Sequence, residues 1–410
     1  MTENTETMTD TNNANVATND QNNQDIQDIQ EAPERPTEAP VARPPLWRRL
    51  LRRDAGFGVL VLAVLLVTVL IISRIPPAPT TPSQPTRGAA VTPSSDAVSR
   101  PANAQMIPMP TSRAGLMQPA VDAQGNIWVG EMVTNKLARI NPETGEVTEW
   151  TPPGGKYNIM QTVVDRQGNI WFTEQAANYI GRFDPATQAF TVYSLDKAVG
   201  PRMSPQDLAF DTNGALWFTM VSGRIGRLDP TTGAIQSWLV PLPKGANRAY
   251  PFSLAVTPSG IWFGYLTGGA IGRLDPATGK ITLTTLKNNQ AAIYAMATDA
   301  SGRIWFTEMQ PAALGSIDPA TGNLTETPPP RLLGDPSILY SVVTTPDGSV
   351  WFASAGANSL VRFQPAKDLY TFYQLPASQS IPFGLAVGPK GGIWISGDGA
   401  ADNYVARVTP

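Results

Sequence analysis

Three aromatic residues occupy one repeated position and are the first candidates for contact with a ligand. Each lies eleven residues before a tryptophan: Tyr294, Tyr340 and Phe383. Three carboxylates lie three or four residues after tryptophans of the same series: Glu308, Asp398 and Glu131. Aromatic faces beside carboxylates suit a sugar, a peptide or a cationic ligand. These six residues are the predicted ligand-binding site.

Two other interpretations of these residues stay open. The aromatic rings would equally serve as core that fills the interior of the fold. Glu131, Glu174 and Glu308 close a repeated W-x-x-E motif, and together they would offer oxygen ligands to a divalent cation such as Mg²⁺ or Ca²⁺. Carboxylates that cap nearby backbone N–H groups are the alternative, so no cofactor is assigned and the metal ligands stay unknown.

The composition excludes several kinds of chemistry. The chain of 410 residues has no histidine and no cysteine, and so lacks the side chain whose ordinary pKa suits proton transfer near neutrality, as well as any thiol nucleophile. Its 30 basic and 33 acidic residues give a net charge of −3, which argues against nucleic acid as a partner. Any enzyme activity would have to use carboxylates.

The elements that position the candidate residues are set by the seven repeated tryptophans. They recur every 43 to 46 residues: Trp128, Trp171, Trp217, Trp262, Trp305, Trp351 and Trp394. Around them the chain repeats D-x-x-G-N-I-W-F-T-E and I-G-R-L-D-P-A-T-G, with tight turns between short apolar runs. A period in the forties with four strands per repeat predicts a seven-bladed β-propeller, an all-β fold, over residues 104–410.

Each blade has innermost, second, third and outermost strands, in chain order. The residue eleven before each tryptophan opens the innermost strand and should line the rim of the central channel. The connections between blades vary in sequence and share one face with the loops after the second strands. Variable loops on a regular scaffold are where binding sites usually lie, so the predicted partner is a small molecule, glycan or peptide at the channel mouth.

The ends of the repeat array predict that the ring is closed. The seventh unit ends at its third strand, whereas Ala104 to Pro110 lies before the first unit at the spacing of an outermost strand. The N-terminal segment should therefore complete the last blade. Such a splice removes strand edges that an open array would expose.

Three different segments precede the repeats. Residues 1–54 are predicted to be a disordered cytoplasmic tail with a basic end, since residues 1–40 hold nine acidic residues and almost no aromatic or β-branched ones. Residues 55–73 contain an uncharged apolar run, about 27 Å long as a helix, which predicts one transmembrane helix. Residues 74–103 are rich in proline and predict a semi-rigid linker.

Arginines set the predicted topology of this anchor. Five arginines lie at positions 43–53 and only two follow the apolar run closely, so the positive-inside rule places the N-terminus in the cytoplasm and the propeller outside the cell membrane. A cleaved signal peptide is the competing interpretation. Its amino-terminal part would be 54 residues long, and no A-x-A-like cleavage site follows Ser73.

The repeat W-F-T-E followed by I-G-R-[LF], clearest from Trp171 to Phe183, resembles the streptogramin lyases over residues 104–410. That resemblance implies a seven-bladed propeller, a magnesium ion and histidine acid–base chemistry that opens a cyclic ester by elimination. It places the family's two histidines at Tyr340 and Phe383 and its two glutamates at Ile381 and near Asp398. Only Asp398 keeps a carboxylate.

We therefore expect a membrane-anchored recognition module that lacks the catalytic histidines of the family it resembles. The alternative is a metal-assisted carbon–oxygen lyase or lactonase that acts on a cyclic ester through its carboxylates alone.

Overall fold

The computed structural model describes residues 96–154, 158–331, 338–376, 381–398 and 403–409. The predicted tail, the predicted transmembrane helix at 55–73 and most of the predicted linker lie outside this range. Within it, the helices are too short and too polar to cross a membrane. The described residues form β-sheets almost throughout.

Twenty-nine strands are described, together with one short helix, Leu195–Ala198, and a 3₁₀ turn, Pro365–Lys367. The strands before the first blade are β1 (Asp96–Pro101) and β2 (Asn103–Pro108). Those of the first three blades are β3 (Ala120–Val121), β4 (Ile127–Glu131), β5 (Lys136–Ile140), β6 (Val147–Trp150), β7 (Ile159–Val164), β8 (Ile170–Glu174), β9 (Tyr179–Asp184), β10 (Ala189–Ser194), β11 (Pro205–Phe210), β12 (Leu216–Met220), β13 (Arg224–Leu228) and β14 (Ile235–Leu239).

The remaining strands are β15 (Pro251–Thr257), β16 (Gly260–Tyr265), β17 (Ala270–Leu274), β18 (Ile281–Thr285), β19 (Ile293–Thr298), β20 (Ile304–Glu308), β21 (Ala313–Ile317), β22 (Leu324–Thr327), β23 (Leu339–Thr344), β24 (Val350–Ser354), β25 (Ser359–Gln364), β26 (Leu369–Gln374), β27 (Ile381–Val387), β28 (Ile393–Asp398) and β29 (Asn403–Thr409). They form seven sheets, each antiparallel except for one added parallel strand. The predicted seven-bladed propeller is confirmed.

Seven innermost strands surround the channel: β3, β7, β11, β15, β19, β23 and β27. Each contacts the innermost strand of the next blade, and β27 contacts β3, so the ring is closed on the inside. Two hydrogen bonds join the first and last blades there. Ser396 Oγ donates to the Met117 carbonyl at 2.6 Å, and Gln118 Nε2 donates to the Leu385 carbonyl at 2.6 Å.

The ring is also closed on the outside, as predicted. Strand β2 pairs antiparallel with β29, with Ile107 opposite Val405, and completes the last blade. The observed strand covers Asn103–Pro108, close to the predicted Ala104 to Pro110. Ile107 is buried there in the core of the last and first blades.

Strand β1 is an addition that the sequence did not predict. It lies within the stretch 74–103 that was assigned to the linker, yet it pairs parallel with β26 as a fifth strand of the sixth blade. The Ala102 N–H then donates to the Gln374 carbonyl at 2.8 Å. Because β26 would otherwise present an unpaired outer edge, β1 covers it before the chain continues into β2.

Repeated side-chain contacts explain the motif. In four blades the tryptophan Nε1–H donates, at 2.8–2.9 Å, to the aspartate of the preceding D-x-x-G turn, as Trp171 does to Asp165. Six arginines of the third strands stack over the tryptophan of their own blade, at 5.4–6.0 Å from the ring centre. Arg182, for example, lies directly across the ladder from Trp171.

The glycine of the I-G-R motif has a steric reason. In four blades the aromatic ring of the second strand covers the glycine at this position of the third, as Phe172 covers Gly181, its cross-strand partner. A Cβ atom at Gly181 would lie 2.2 Å from that ring. The ring and the glycine therefore form one packing unit in the core between blades.

Candidate functional site

A cavity of about 220 Å³ lies in the central channel and is lined by residues from all seven blades. Five of the seven residues that precede the repeated tryptophans by eleven positions line it: Met117, Met160, Gln206, Tyr294 and Phe383. The prediction that the residue eleven positions before each tryptophan lies at the channel is confirmed for these five residues. The cavity is smaller than the roughly 300–1,000 Å³ of pockets for drug-sized ligands, so it suits one side chain or one head group.

Half of the residues that line the cavity lie at β-bulges. Every innermost strand except that of the first blade has a register shift near its start. The residues that lie between the registered pairs at these shifts, called here the bulge ring, are Met160, Gln161, Gln206, Asp207, Phe252, Tyr294, Tyr340, Ser341 and Phe383. A bulge turns side chains away from the regular alternation of a strand, and all of these residues except Tyr340 line the cavity.

Buried hydroxyl groups of the second strands hold the bulges in place. Thr219 Oγ1 accepts from the Asp207 N–H at 3.0 Å and donates to the Phe252 carbonyl of the next blade at 3.0 Å. Thr173 makes the equivalent pair of bonds to Gln161 and Gln206, at 3.1 and 3.2 Å. The threonine of the W-F-T-E motif thus connects the bulge of its own blade to that of its neighbour.

Four aromatic rings of the bulge ring form a continuous cluster over blades four to seven. The Tyr294 ring is central, with ring centres 5.1 Å from Phe252, 5.0 Å from Tyr340 and 5.6 Å from Phe383. Tyr340 and Phe383 are 4.6 Å apart. Tyr294 and Phe383 are half-buried and face the cavity, whereas Tyr340 is only 2 % exposed and packs in the core behind them. Both interpretations of the aromatic position therefore apply, to different residues.

Asp207 is the one acidic or basic residue among those that line the cavity. Its carboxylate accepts hydrogen bonds from the Leu208 N–H at 2.8 Å and from the Leu254 N–H of the next blade at 2.7 Å. Burial raises the pKa of Asp207 to about 7, and these two bonds offset only part of that effect. Burial first, then the Tyr340 phenol and the Asp207 carboxylate, raise the pKa of Tyr294 well above its usual range.

Glu131 lies outside the cavity lining. It is fully buried, accepts a hydrogen bond from the Thr134 hydroxyl, and lies close to Glu149 of the outermost strand in its own blade. Burial, with a contribution from Glu149, raises the pKa of Glu131 to about 7. Lys136 and Thr111 both donate to Glu149, so this group ties the first blade together near the loop that follows β4.

Glu308 is likewise buried away from the cavity, at 1 % exposure. Burial, and the charge of Glu326 on the outermost strand of the same blade, raise its pKa to about 8. Asp398 ends β28, where its backbone pairs with Ile381 and Asn403; its side chain is outside what the structure describes. The structure therefore brings Tyr294, Tyr340 and Phe383 together but does not add Glu131 or Glu308 to them.

The carboxylates that the structure describes also do not form the donor set that a magnesium ion needs. In the described part of the chain, acidic side chains are nowhere gathered in threes around one point. Glu174 uses Oε2 to accept from the Ala177 N–H of its own loop, which is the capping role weighed for these glutamates. The described residues do not fit a bound divalent cation of the type the resemblance implies.

Four bulge residues that line the cavity were missed by the sequence analysis: Gln161, Asp207, Phe252 and Ser341. Each lies ten positions before a tryptophan, where regular alternation would turn a side chain away from the channel. Pro251, at the expected position of the fourth blade, instead pairs with Tyr265. Polar or aromatic pairs at the start of each innermost strand, such as Gln206-Asp207, are the signal that could have indicated the bulges.

Seven blades around a channel cavity define this protein as a β-propeller with a central-channel site. The profile of the virginiamycin B lyase family matches residues 102–408, and the chain belongs to that family. A search of curated proteins found no match.

Solved structures give the same fold. A streptogramin B lyase structure is 25 % identical, covers 75 % of this chain and 97 % of its own, and superposes with a TM-score of 0.65. A catalytically inactive histidine-to-alanine variant of virginiamycin B lyase from Staphylococcus aureus, with quinupristin, is 24 % identical, with 75 % and 99 % coverage and the same TM-score of 0.65. YCF48 bound to D1 peptide shares the fold at 15 % identity, with 77 % and 100 % coverage and a TM-score of 0.59.

Proposed function

We propose that this chain is a recognition module of the virginiamycin B lyase family that binds a small ligand, or one residue of a larger ligand, in its central cavity without lyase chemistry. The observation that carries the proposal is the bulge ring. It directs aromatic and polar side chains into one cavity, and buried threonines hold it in place. A preorganised cavity with few polar groups is typical of binding sites.

The absence of lyase chemistry rests on residue types. The chain has no histidine, and Tyr340 and Phe383 occupy the positions where the resemblance places the two histidines of the family. In the inactive relative from Staphylococcus aureus a histidine is replaced by alanine, which makes histidine important in that protein. Among the residues that line the cavity here, Asp207 is the one carboxylate and Tyr294 the one phenol. The pKa of Tyr294 is raised well above its usual range, so this phenol is poorly suited to proton transfer near neutrality.

We also propose that the chain is anchored in the cell membrane. The apolar run at 55–73, with arginines concentrated before it, would anchor the chain once in the cell membrane and hold the propeller outside. Protease added to intact cells should then cut the proline-rich stretch and release the propeller. Protection of that stretch, or a mature N-terminus found after residue 73, would contradict the location.

The functional proposal is tested by incubating the purified full chain with quinupristin, with and without added Mg²⁺ and with a chelator. We expect the mass and ring of quinupristin to stay unchanged after many hours. The alternative, a metal-assisted lyase or lactonase, predicts chelator-sensitive ring opening that a substitution at Glu308 or Asp398 abolishes. That result would overturn the proposed absence of catalysis.

A further inference from the structure

We propose that the central cavity recognises an organic cation, such as an ammonium or methylated ammonium group, through the Asp207 carboxylate and the surrounding aromatic faces. This inference rests on the proposed recognition function and names the class of ligand. The sequence analysis placed the carboxylates of Glu131 and Glu308 in the site. In the structure the carboxylate that lines the cavity is that of Asp207, on the bulge of the third blade.

The charge of the lining favours a cation. Asp207 is the only Asp, Glu, Lys or Arg residue among those that line the cavity, so no lysine or arginine there neutralises its carboxylate. Its hydrogen-bond donors are two backbone N–H groups, which carry no formal charge. A positive ligand would provide the missing opposite charge in a site where surrounding protein weakens the screening by water.

The aromatic rings are placed to complete such a site. Phe252 and Tyr294 come from the fourth and fifth blades, and Phe383 from the seventh, and all three line the same cavity as Asp207. Ring faces attract a cation by their quadrupole, by about 0.5–2 kcal/mol for each favourable contact. Met117 and Met160 complete the wall with polarisable, uncharged surface.

A consequence is that binding depends on pH. Burial raises the pKa of Asp207 to about 7 in the free protein, so below that pH a cation must displace a proton. Tyr294 faces Asp207 from β19, with the Tyr340 ring in contact behind it. The pKa of Tyr294 is raised well above its usual range, so its phenol is uncharged at neutral pH. Strands β7, β12 and β15 contain no acidic or basic residue. On β8, Glu174 is bonded to its own loop.

The test uses choline as the probe and 3,3-dimethyl-1-butanol, which replaces the quaternary nitrogen by carbon, as its neutral match. Calorimetric titration of the full chain should show choline binding at least about tenfold more tightly than the alcohol. The choline affinity should rise roughly tenfold per pH unit up to about pH 7 and then level off. Asp207→Asn should lose most of the preference for choline, whereas Asp368→Asn, on an exposed turn, should keep it.

Equal binding of the two probes would overturn the cation inference and leave the recognition function standing. The same holds if Asp207→Asn binds choline as the wild type does. A titration up to 50-fold excess of probe over a millimolar protein sample reaches the order of the weakest useful affinity. If neither probe binds in that range, the inference is also overturned. If Asp207→Asn does not fold, the pH dependence of the wild type decides. Failure of the recognition function itself would appear separately, as turnover of quinupristin.

Discussion

At the residue scale, Asp207 and the rings around it determine what the cavity can bind. Its carboxylate lies in the channel at the junction of the third and fourth blades, bonded to backbone groups of both. A group in this position affects the stability of the ring as well as the electrostatics of the cavity. The two effects are separable because the first needs no ligand.

We expect Asp207 to make the folded chain less stable as the pH rises from about 4 to about 7. Its pKa is raised from 3.8 to about 7 in the folded protein, so in this window the native state holds a proton that the unfolded chain releases. The loss should be complete above about pH 7. Melting temperatures measured from pH 4 to 8 should therefore fall more in the wild type than in Asp207→Asn.

Glu131 and Glu308 also have raised pKa values, so they too lower the melting temperature as the pH rises. The difference between wild type and Asp207→Asn removes their contribution, since both proteins keep these glutamates. Parallel curves for the two proteins would show that Asp207 titrates normally and is not buried as described.

Phe383 and Tyr340 should behave differently although they occupy the same position in successive blades. Tyr340 is buried in the core, so Tyr340→Ala should lower the free energy of unfolding by about 3–5 kcal/mol. Phe383 is half-buried and faces the cavity, so Phe383→Ala should destabilise less and mainly weaken choline binding. Chemical denaturation and calorimetric titration measure the two effects; equal destabilisation by both variants would contradict the assignment of Tyr340 to the core.

At the scale of the element, the bulged innermost strand is the unit that makes the site. A regular strand would send every second side chain into the channel, whereas the bulge presents neighbours such as Gln206 and Asp207 together. The hydroxyl of the second strand makes this geometry possible because it satisfies backbone groups that the ladder leaves free.

Thr219→Val removes such a hydroxyl while it keeps the shape of the side chain. The Asp207 N–H and the Phe252 carbonyl would both lose a partner, and we expect a loss of about 1–3 kcal/mol in stability. Choline affinity should also fall, since both residues line the cavity. Thr282→Val, on the exposed face of β18, is the matched control; an equal effect there would rule out a special role for the bulge.

At the scale of the whole molecule, the closure of the ring depends on strand β2. A chain that lacks residues 103–108 loses the ladder partner of β29 and the buried Ile107 side chain. We expect a loss of at least about 3 kcal/mol, which lowers the melting temperature by roughly 6 °C or more. Removal of residues 84–89, which precede β1, is the control of equal length. Unchanged melting after removal of β2 would contradict the splice.

Much of this architecture was predictable because it repeats. Trp171 and its equivalents, with the D-x-x-G turns, mark each blade, and the missing strand of the seventh unit indicated β2. Strand β1 was not predictable in the same way, since its pairing with β26 joins residues more than 250 positions apart and is parallel. Nothing in the local sequence specifies such a partner.

The site was predictable only to the extent that the strands are regular. Tyr294 and Phe383 were found because counting from the tryptophan places them at the channel. Asp207 and Phe252 were missed because the bulges shift the count by one residue. Glu131 and Glu308 were included because the end of the second strand lies near the same face, but their side chains turn toward the outermost strands of their own blades.

Methionine NMR shows whether a ligand binds in the channel cavity. Met117, Met160 and Met296 line the cavity, whereas Met109 and Met203 do not. With ¹³C-methyl methionine in the full chain, and assignments from Met→Leu variants, titration with choline should shift the three cavity methyl signals together and saturate, while Met109 and Met203 stay in place. Saturable shifts confined to Met109 or Met203, or no shift at the cavity methionines, would show that choline does not bind in the cavity.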